Sequence, residues 1–202
     1  ANTPYTLFYT KTSPLELGYR ALERMTDFMT NQTGMVYADY NEQKGNSLKK
    51  HPVIDYQLGS VRDDFDFGSV LLFATPFLKA GVQSIRQKDY QYAALYAIRL
   101  YIASQGNICH INEYLYTEIE EDLRLSGEKQ FDYVNPRNRE VQIEMEEAFT
   151  MHLKAIGAYL KPRNKKIDFK KSAFENEASV IIPVRDRVRT IRDAIESVLA
   201  QQ

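Results

Sequence analysis

The C-terminal segment 177–202 constrains the fold more than any other part of the chain. Ser179-Val180-Ile181-Ile182-Pro183 is a run rich in β-branched residues that ends in a proline. Such a run is typical of a buried parallel strand, which is covered on both faces and need not alternate. Apolar residues then recur at helical spacing, at Ile191, Ala194, Ile195, Val198 and Leu199. A strand, a polar turn and a helix form half of a βαβ unit. We therefore predict an α/β fold and expect this unit to begin a longer domain.

The residues of this unit resemble a known family. Ser179–Arg187 reads S-V-I-I-P-V-R-D-R, and Thr190–Gln201 reads T-I-R-D-A-I-E-S-V-L-A-Q. These segments resemble the opening of family 2 glycosyltransferases, S-V-I-I-P-x-Y-N-R followed by T-I-x-x-A-I-x-S-V-L-x-Q. The resemblance implies the nucleotide-diphospho-sugar transferase fold (GT-A, Rossmann-like), a mixed sheet flanked by helices. It also implies a nucleotide pocket lined by Pro183, Val184, Arg185 and Asp186. The family's Tyr-Asn pair is Arg185-Asp186 here, so the base would be bound differently.

Residues 1–160 resemble a degenerate second half of the same fold. The family has a strand Y-I-L-F-L-D-x-D-D, a helix, and then V-V-Y-S-D, whereas Tyr5–Ser13 reads Y-T-L-F-Y-T-K-T-S and Val36–Asp39 reads V-Y-A-D. The family's two metal-binding aspartates fall on Thr10 and Thr12, and Asp39 is the retained acid. Hydroxyl groups cannot replace the anionic ligands of a hard divalent cation. We expect no cofactor in this fragment, but Mn²⁺ or Mg²⁺ in the complete transferase.

The family's catalytic base is also replaced. The motif E-D-x-x-x-x-x-R-L corresponds to Tyr92–Leu100, which reads Y-A-A-L-Y-A-I-R-L. Arg99 and Leu100 fit the motif, but Tyr92 and Ala93 occupy the positions of the two carboxylates. We therefore predict no catalytic residue in residues 1–160.

Acidic and aromatic residues suggest a second kind of site. Arg62–Gly68 reads R-D-D-F-D-F-G, and Tyr92 and Tyr96 share one helix face. Carboxylates combined with aromatic rings suit carbohydrate, so Asp63, Asp64, Tyr92 and Tyr96 are the carbohydrate candidates. The structural alternatives are a turn that precedes a strand at Ser69 and tyrosines at the edge of the core.

Composition and charge exclude several functions. The net charge of −1 gives no basic field for nucleic acid. The single cysteine, Cys109, has no partner for a disulfide, and the three histidines lack metal-ligand spacing. We expect a cytoplasmic protein. The basic segment 161–176 is expected to be a linker, and its alternative role is peripheral contact with the inner face of the membrane.

Local patterns predict the remaining elements. Ser13, Pro14 and Glu16 form a capping box that predicts a helix start. Lys44-Gly45-Asn46 predicts a turn, and Pro76 and Asn135-Pro136 predict two further helix starts. Strands are predicted at Tyr5–Tyr9, Met35–Ala38, Ser69–Phe73 and Ile108–Tyr116, and a helix at Tyr90–Gln105.

The strand at Tyr5–Tyr9 lacks the parallel neighbour that the family's sheet provides. We expect Ser179–Ile182 to supply it by pairing with Thr6–Phe8, either within one molecule or exchanged between two in a homodimer. The helix that follows would then cover the sheet.

Two functions remain open. The first is a fragment of a family 2 glycosyltransferase that transfers a hexosyl group from a nucleotide-sugar donor to a glycan acceptor in polysaccharide biosynthesis. In this hypothesis the fragment, with domains at 1–160 and 177–202, is inactive alone. The alternative is a non-catalytic carbohydrate-binding or scaffolding module attached to a transferase.

Overall fold

The computed structural model describes residues 2–119, 139–165, 179–185 and 188–201. The chain divides into two compact units, Ala1–Leu160 and Lys161–Gln202. The first unit combines a β-sheet with α-helices, which confirms the predicted α/β class.

The first unit is built on a six-stranded mixed sheet. Its strands are β1 (Tyr5–Tyr9), β2 (Leu15–Leu17), β3 (Thr33–Lys44), β4 (Ser47–His51), β5 (Val70–Ala74) and β6 (Asn107–Ile119). The strand order is β1, β5, β3, β6, β2, and β4 pairs with the end of β3. Strands β3 and β6 run parallel to each other, while each of the other described pairs is antiparallel.

Helices α1 to α4 belong to the same unit, and α5 belongs to the second. Their bounds are α1 (Ala21–Asp27), α2 (Thr75–Ser84), α3 (Ala94–Gln105), α4 (Arg139–Ala155) and α5 (Val188–Leu199). The predicted helix start at Asn135-Pro136 lies outside the described residues. Among the helices that the structure describes, none has the length and apolarity required to span a bilayer.

The centre of the sheet is buried on both faces because β3 alternates between two apolar clusters. Met35 and Tyr37 pack with residues of α2 and α3, including Leu78 and Ile102. Val36 and Ala38 belong to the opposite cluster, which contains Met25 of α1. The two faces meet along β3, so this strand fixes the positions of the helices on either side.

Several local predictions are confirmed. The turn at Lys44-Gly45-Asn46 joins β3 to β4, and Gly45 has the positive φ of 56° that favours glycine. Helix α2 begins at Thr75 with Pro76 in its first turn, where a missing N–H costs no helical hydrogen bond. Helix α3 ends at Gln105, before Gly106.

The helix predicted to start at Ser13 is wrong. Leu15–Leu17 forms β2 instead and pairs with Tyr116–Glu118 of β6. The N–H of Gly18 also donates to the carbonyl of Leu115 at 2.8 Å. Helix α1 begins only at Ala21, after Arg20 in a left-handed conformation. Pairing with a distant strand therefore outweighs the local capping pattern.

The strand predicted at Ser179–Ile182 is also wrong, because the described residues 179–185 contain no β-strand. One edge of β1 pairs antiparallel with β5, from Tyr5–Ala74 to Tyr9–Val70. Pairing of Thr6–Phe8 with Ser179–Ile182 by exchange between two molecules stays a prediction. A strand requires a hydrogen-bonding neighbour, and the described part of the second unit supplies no other strand. The predicted helix at Thr190–Leu199 is confirmed within α5.

Candidate functional site

A cleft of about 310 Å³ lies in the first unit, beside the end of β1 and the start of α3. Its walls come from four parts of the chain: Thr10; Asp63, Phe65, Asp66, Phe67 and Gly68; Tyr92, Leu95, Tyr96 and Arg99; and Met145. Met35 and Leu71 of the sheet form the rest of its lining. The structure thus brings together Thr10, Asp63, Tyr92 and Tyr96, which the sequence analysis selected on separate grounds.

Much of the cleft wall is the segment 52–68, which joins β4 to β5 and which we call the cleft loop. The sheet holds it at its N-terminal end, where Tyr37 Oη donates to the carbonyl of Ile54 and accepts the N–H of Tyr56, each at 2.7 Å. Burial of this hydroxyl raises the pKa of Tyr37. Helix α3 holds the middle of the loop, because Tyr96 Oη donates to the carbonyl of Val61 at 2.5 Å. The loop is therefore fixed from both sides of the cleft.

Arg99 is the cation that underlies the cleft loop. Its guanidinium donates to the carbonyl of Ser60 at 2.9 Å and to that of Arg62 at 2.7 Å. The same group lies over the rings of Tyr56, Phe67 and Tyr96. Only 4% of Arg99 is exposed. Its guanidinium therefore holds the cleft loop. This structural role accounts for an arginine at the position where Arg99 fits the family motif.

Asp39, the retained acid of the sequence analysis, lies outside the cleft lining and is fully buried. Its Oδ1 accepts the N–H of Val53 at 2.8 Å and faces Nε2 of His110 at 2.9 Å. Nδ1 of His110 lies 2.7 Å from Oδ1 of Asp55, and its ring stacks on Tyr37. Asp39 Oδ2 has no partner among the described residues. Asp39 and His110 thus join the start of the cleft loop to β3 and β6.

The end of β1 is the place where the resemblance puts a metal site. Thr10 is tied to β5, because its N–H donates to the carbonyl of Ser69 at 2.9 Å. Thr12 is exposed, and the ammonium of Lys11 pairs with the buried carboxylate of Glu118. A divalent cation would meet two hydroxyls and an ammonium here, so these residues do not fit it. In the described ranges, no group of three or more His, Cys, Asp or Glu side chains is arranged to hold a metal ion.

The start of α3 carries a carboxylate that the sequence analysis missed. Glu144 of α4 accepts the N–H groups of Gln91, Tyr92 and Ala93 at 3.1, 2.8 and 3.0 Å. These hydrogen bonds, that of Tyr92 first, hold the pKa of Glu144 below its usual value. Glu144 therefore holds the three residues that lead into α3 and is a weak proton acceptor. The sequence does not single out Glu144 for this role, because Glu146 and Glu147 are equally acidic residues of the same helix.

The two neighbouring acids of the cleft loop differ. Asp64 makes two hydrogen bonds of 2.8 Å with the guanidinium of Arg62, which lowers the pKa of its carboxyl, and it lies outside the cleft lining. Asp63 lines the cleft, and its Oδ1 accepts the N–H of Asp64 at 3.1 Å. No salt bridge joins Asp63 to the part of the chain that the structure describes. Of the two predicted acids, only Asp63 faces the cleft.

The two predicted tyrosines also differ. Tyr96 is 9% exposed and its hydroxyl is used by Val61, so it belongs to the floor of the cleft. Tyr92 is 48% exposed and lines the cleft, while its backbone N–H is held by Glu144. Of the two tyrosines, Tyr92 is therefore the one whose ring can contact a ligand, while its backbone is held in place by Glu144.

A second histidine supports the far end of the cleft loop. Nε2 of His51 lies 2.9 Å from Oδ2 of Asp66, and Nδ1 lies 3.1 Å from Oε1 of Glu42. The His51 ring stacks on Tyr40, which in turn stacks on Tyr116. Sequence spacing did not reveal this cluster, because His51 and Asp66 belong to different elements.

The predicted nucleotide-binding residues belong to the second unit. Pro183, Val184 and Arg185 are exposed and lie in no regular element, and Asp186 lies outside the described residues. Of the basic linker, residues 161–165 are described and exposed, and residues 166–176 lie outside the described part.

Comparisons with known proteins assign no family to the chain. A scan against protein-family models gives no match, and a search of curated proteins gives none either.

Proposed function

We propose that this chain is part of a family 2 glycosyltransferase of polysaccharide biosynthesis, whose complete form transfers a sugar from a nucleotide-sugar donor to a glycan. In this proposal, residues 1–160 are a degenerate copy of the GT-A fold and have no transferase activity. The succession of a strand (β1), a helix (α1) and a strand that contains Asp39 (β3) supports the proposal, although β2 lies between β1 and α1 and β3 continues past Asp39 to Lys44. Pro183 to Asp186 would line the nucleotide pocket of the complete enzyme.

The observation that carries the proposal of inactivity is the pairing of Lys11 with Glu118 directly after β1. In the proposed ancestry this position held aspartates that bound a metal ion. An ammonium there repels a second cation, and without that cation the charge of a leaving nucleotide diphosphate is not neutralised.

The start of α3 supports the same conclusion. Tyr92 and Ala93 stand where the family has its acidic pair, and the carboxylate that reaches this place from α4 is Glu144. Because Glu144 accepts three backbone N–H groups and has a lowered pKa, it is poorly suited to remove a proton from an acceptor hydroxyl.

An activity assay tests the proposal. The purified chain should neither hydrolyse nor transfer from UDP-, GDP- or ADP-linked sugars with Mn²⁺ or Mg²⁺ present. Calorimetric titration with Mn²⁺ and UDP should show no stoichiometric site. Turnover that is lost in Lys11→Ala or Glu144→Gln would contradict the assignment, and so would a single tight Mn²⁺–UDP site.

The cleft favours a second candidate function, a carbohydrate-binding module that presents a glycan to an attached transferase. The observation behind it is that Asp63, the exposed face of Tyr92 and the floor ring of Tyr96 line one cleft. Sugar-binding sites combine an aromatic face with carboxylates that accept hydroxyl hydrogens. Screening the chain on a glycan array tests this function. Tyr92→Ala should abolish binding, whereas Tyr19→Ala, which removes a ring that is 93% exposed away from the cleft lining, should leave it intact.

A further inference from the structure

We propose that the cleft selects hexosamine units and rejects uronic acids, with Asp63 as the residue that determines this preference. The inference rests on the carbohydrate-binding function proposed above and names the sugar class of the same site. In this arrangement, the sugar packs one face on Tyr92 and places its nitrogen substituent against the carboxylate of Asp63.

The charged side chains that line the cleft disfavour an acidic sugar. The cleft lining contains the acids Asp63 and Asp66 and the cation Arg99. Arg99 is buried, and its guanidinium donates to the carbonyls of Ser60 and Arg62. Two of its donors are therefore used by the cleft loop, and its guanidinium lies against the rings of Tyr56, Phe67 and Tyr96. Among the described lining residues, an acidic sugar would therefore meet the carboxylates of Asp63 and Asp66, while the one cation, Arg99, is buried beneath the loop.

The hydrogen bonds of the two acids single out Asp63. Asp66 is occupied on both oxygens, because Oδ1 accepts the N–H of Gly68 at 2.8 Å and Oδ2 faces Nε2 of His51 at 2.9 Å. From the described residues, Asp63 accepts one N–H, that of Asp64, at 3.1 Å. A carboxylate has about four acceptor sites. Asp63 consequently retains the capacity to accept from a ligand ammonium or amide, and an ammonium forms the stronger, charge-assisted bond.

The aromatic ring of Tyr92 provides the second contact with the sugar. Tyr92 presents an exposed face, and its backbone is held by Glu144. An aromatic face attracts both the C–H face of a sugar ring and a nearby cation. A protonated amino sugar therefore gains from Tyr92 and from Asp63, an N-acetylated sugar gains less from Asp63, and a uronic acid is repelled. The same two acids oppose a nucleotide diphosphate in this cleft.

Calorimetric titration of the whole chain with three oligosaccharides of equal length tests the inference. The probes are a glucosamine, an N-acetylglucosamine and a galacturonic acid oligomer, in mildly acidic buffer of low ionic strength. We expect affinity to fall in that order. Replacing the charge-assisted bond in Asp63→Asn should reduce the preference of glucosamine over galacturonate by roughly tenfold or more.

Asp64→Asn is the matched control, because it removes the neighbouring carboxylate, which is paired with Arg62 outside the cleft lining. It should leave the preference unchanged. Binding of all three probes with equal affinity, or a preference unaffected by Asp63→Asn, overturns the inference while the carbohydrate-binding function stands. Binding of none of the probes overturns the inference, and absence of any glycan binding on the array overturns the carbohydrate-binding function itself.

Discussion

The buried carboxylate of Asp39 lies 2.9 Å from Nε2 of His110, and this contact connects the two parallel strands at the centre of the sheet. The register between β3 and β6 shifts on both sides of Asp39. His110 also faces Asp55 through its other ring nitrogen, at 2.7 Å, so the ring links both strands to the start of the cleft loop. The acid that sequence resemblance marks as retained therefore has a structural role in this chain.

Removing the imidazole should destabilise the fold strongly. In His110→Ala, Asp39 keeps the N–H of Val53 but loses the buried ring nitrogen that faces its Oδ1. We expect the free energy of unfolding to fall by about 1 to 3 kcal/mol, as for a buried polar group that loses its hydrogen-bond partner. Urea unfolding measures the change. His51→Ala, at a more exposed histidine that also faces two carboxylates, is the control and should cost less; an equal or smaller loss for His110→Ala would contradict this role.

Glu144 predicts a loss of stability in acid. Its folded pKa lies below the ordinary value of 4.5 because it accepts three backbone N–H groups. A depressed carboxyl pKa stabilises the fold above its unfolded value, and this contribution is lost as the pH falls through the folded pKa. Unfolding free energies measured from neutral pH downwards should therefore fall less steeply in acid for Glu144→Gln than for the parent chain. Glu146→Gln, on the exposed part of the same helix, should keep the parental slope. Parallel curves for all three proteins would show that the three hydrogen bonds to Glu144 do not make stability depend on pH.

His152 predicts a second pH effect in a higher range. Burial lowers the pKa of the His152 ring below its ordinary value of 6.5, and the charge of Arg99 lowers it further. The folded state therefore favours the neutral ring, and stability declines as the pH falls through the interval below 6.5. His152→Leu should flatten this part of the stability curve while the acid limb from Glu144 remains. The same slope in His152→Leu and in the parent would show that the ring does not titrate differently in the fold.

Position 68 should not tolerate any residue larger than glycine. Its φ is 68°, and a Cβ placed there would lie 2.0 Å from Oη of Tyr116. Gly68→Ala should therefore lower the unfolding free energy by more than the conformational cost of about 1 kcal/mol. Gly59→Ala is matched, because its φ of 93° is also positive but no atom lies within 4 Å of its Cβ. Thermal unfolding should separate the two variants; equal melting temperatures would mean that Tyr116 moves aside without cost.

The sequence predicts those elements whose signals are local. The buried run of β5, the proline of α2 and the glycine of the β3–β4 turn act within a few residues, and each element forms where it is expected. Strand β2 fails this test because its formation depends on Tyr116–Glu118, far along the chain. The β-branched run at Ser179–Ile182 fails for the same reason, since pattern alone cannot supply a neighbouring strand.

The candidate site is predicted in part. Residue type alone identifies Asp63, Tyr92 and Tyr96 as candidates, because carboxylates and aromatic rings are groups that bind carbohydrate, and all three residues line the cleft. Sequence does not separate Asp63 from Asp64, since the difference between them is the orientation of Arg62. Nor does it indicate Glu144 or His110, whose partners are brought to them by the packing of α4 on α3 and by the pairing of β6 with β3.

The parallel pairing of β3 with β6 has a consequence for synthesis of the chain on the ribosome. Val36 pairs with Cys109, so one edge of β3 has no partner until β6 has left the exit tunnel. During that interval, the antiparallel pairs of β3 with β4 and β5 are the contacts available to it. An apolar strand with an open edge is a target for chaperones and for association with other nascent chains. Translation through α3 therefore sets how long this edge is exposed.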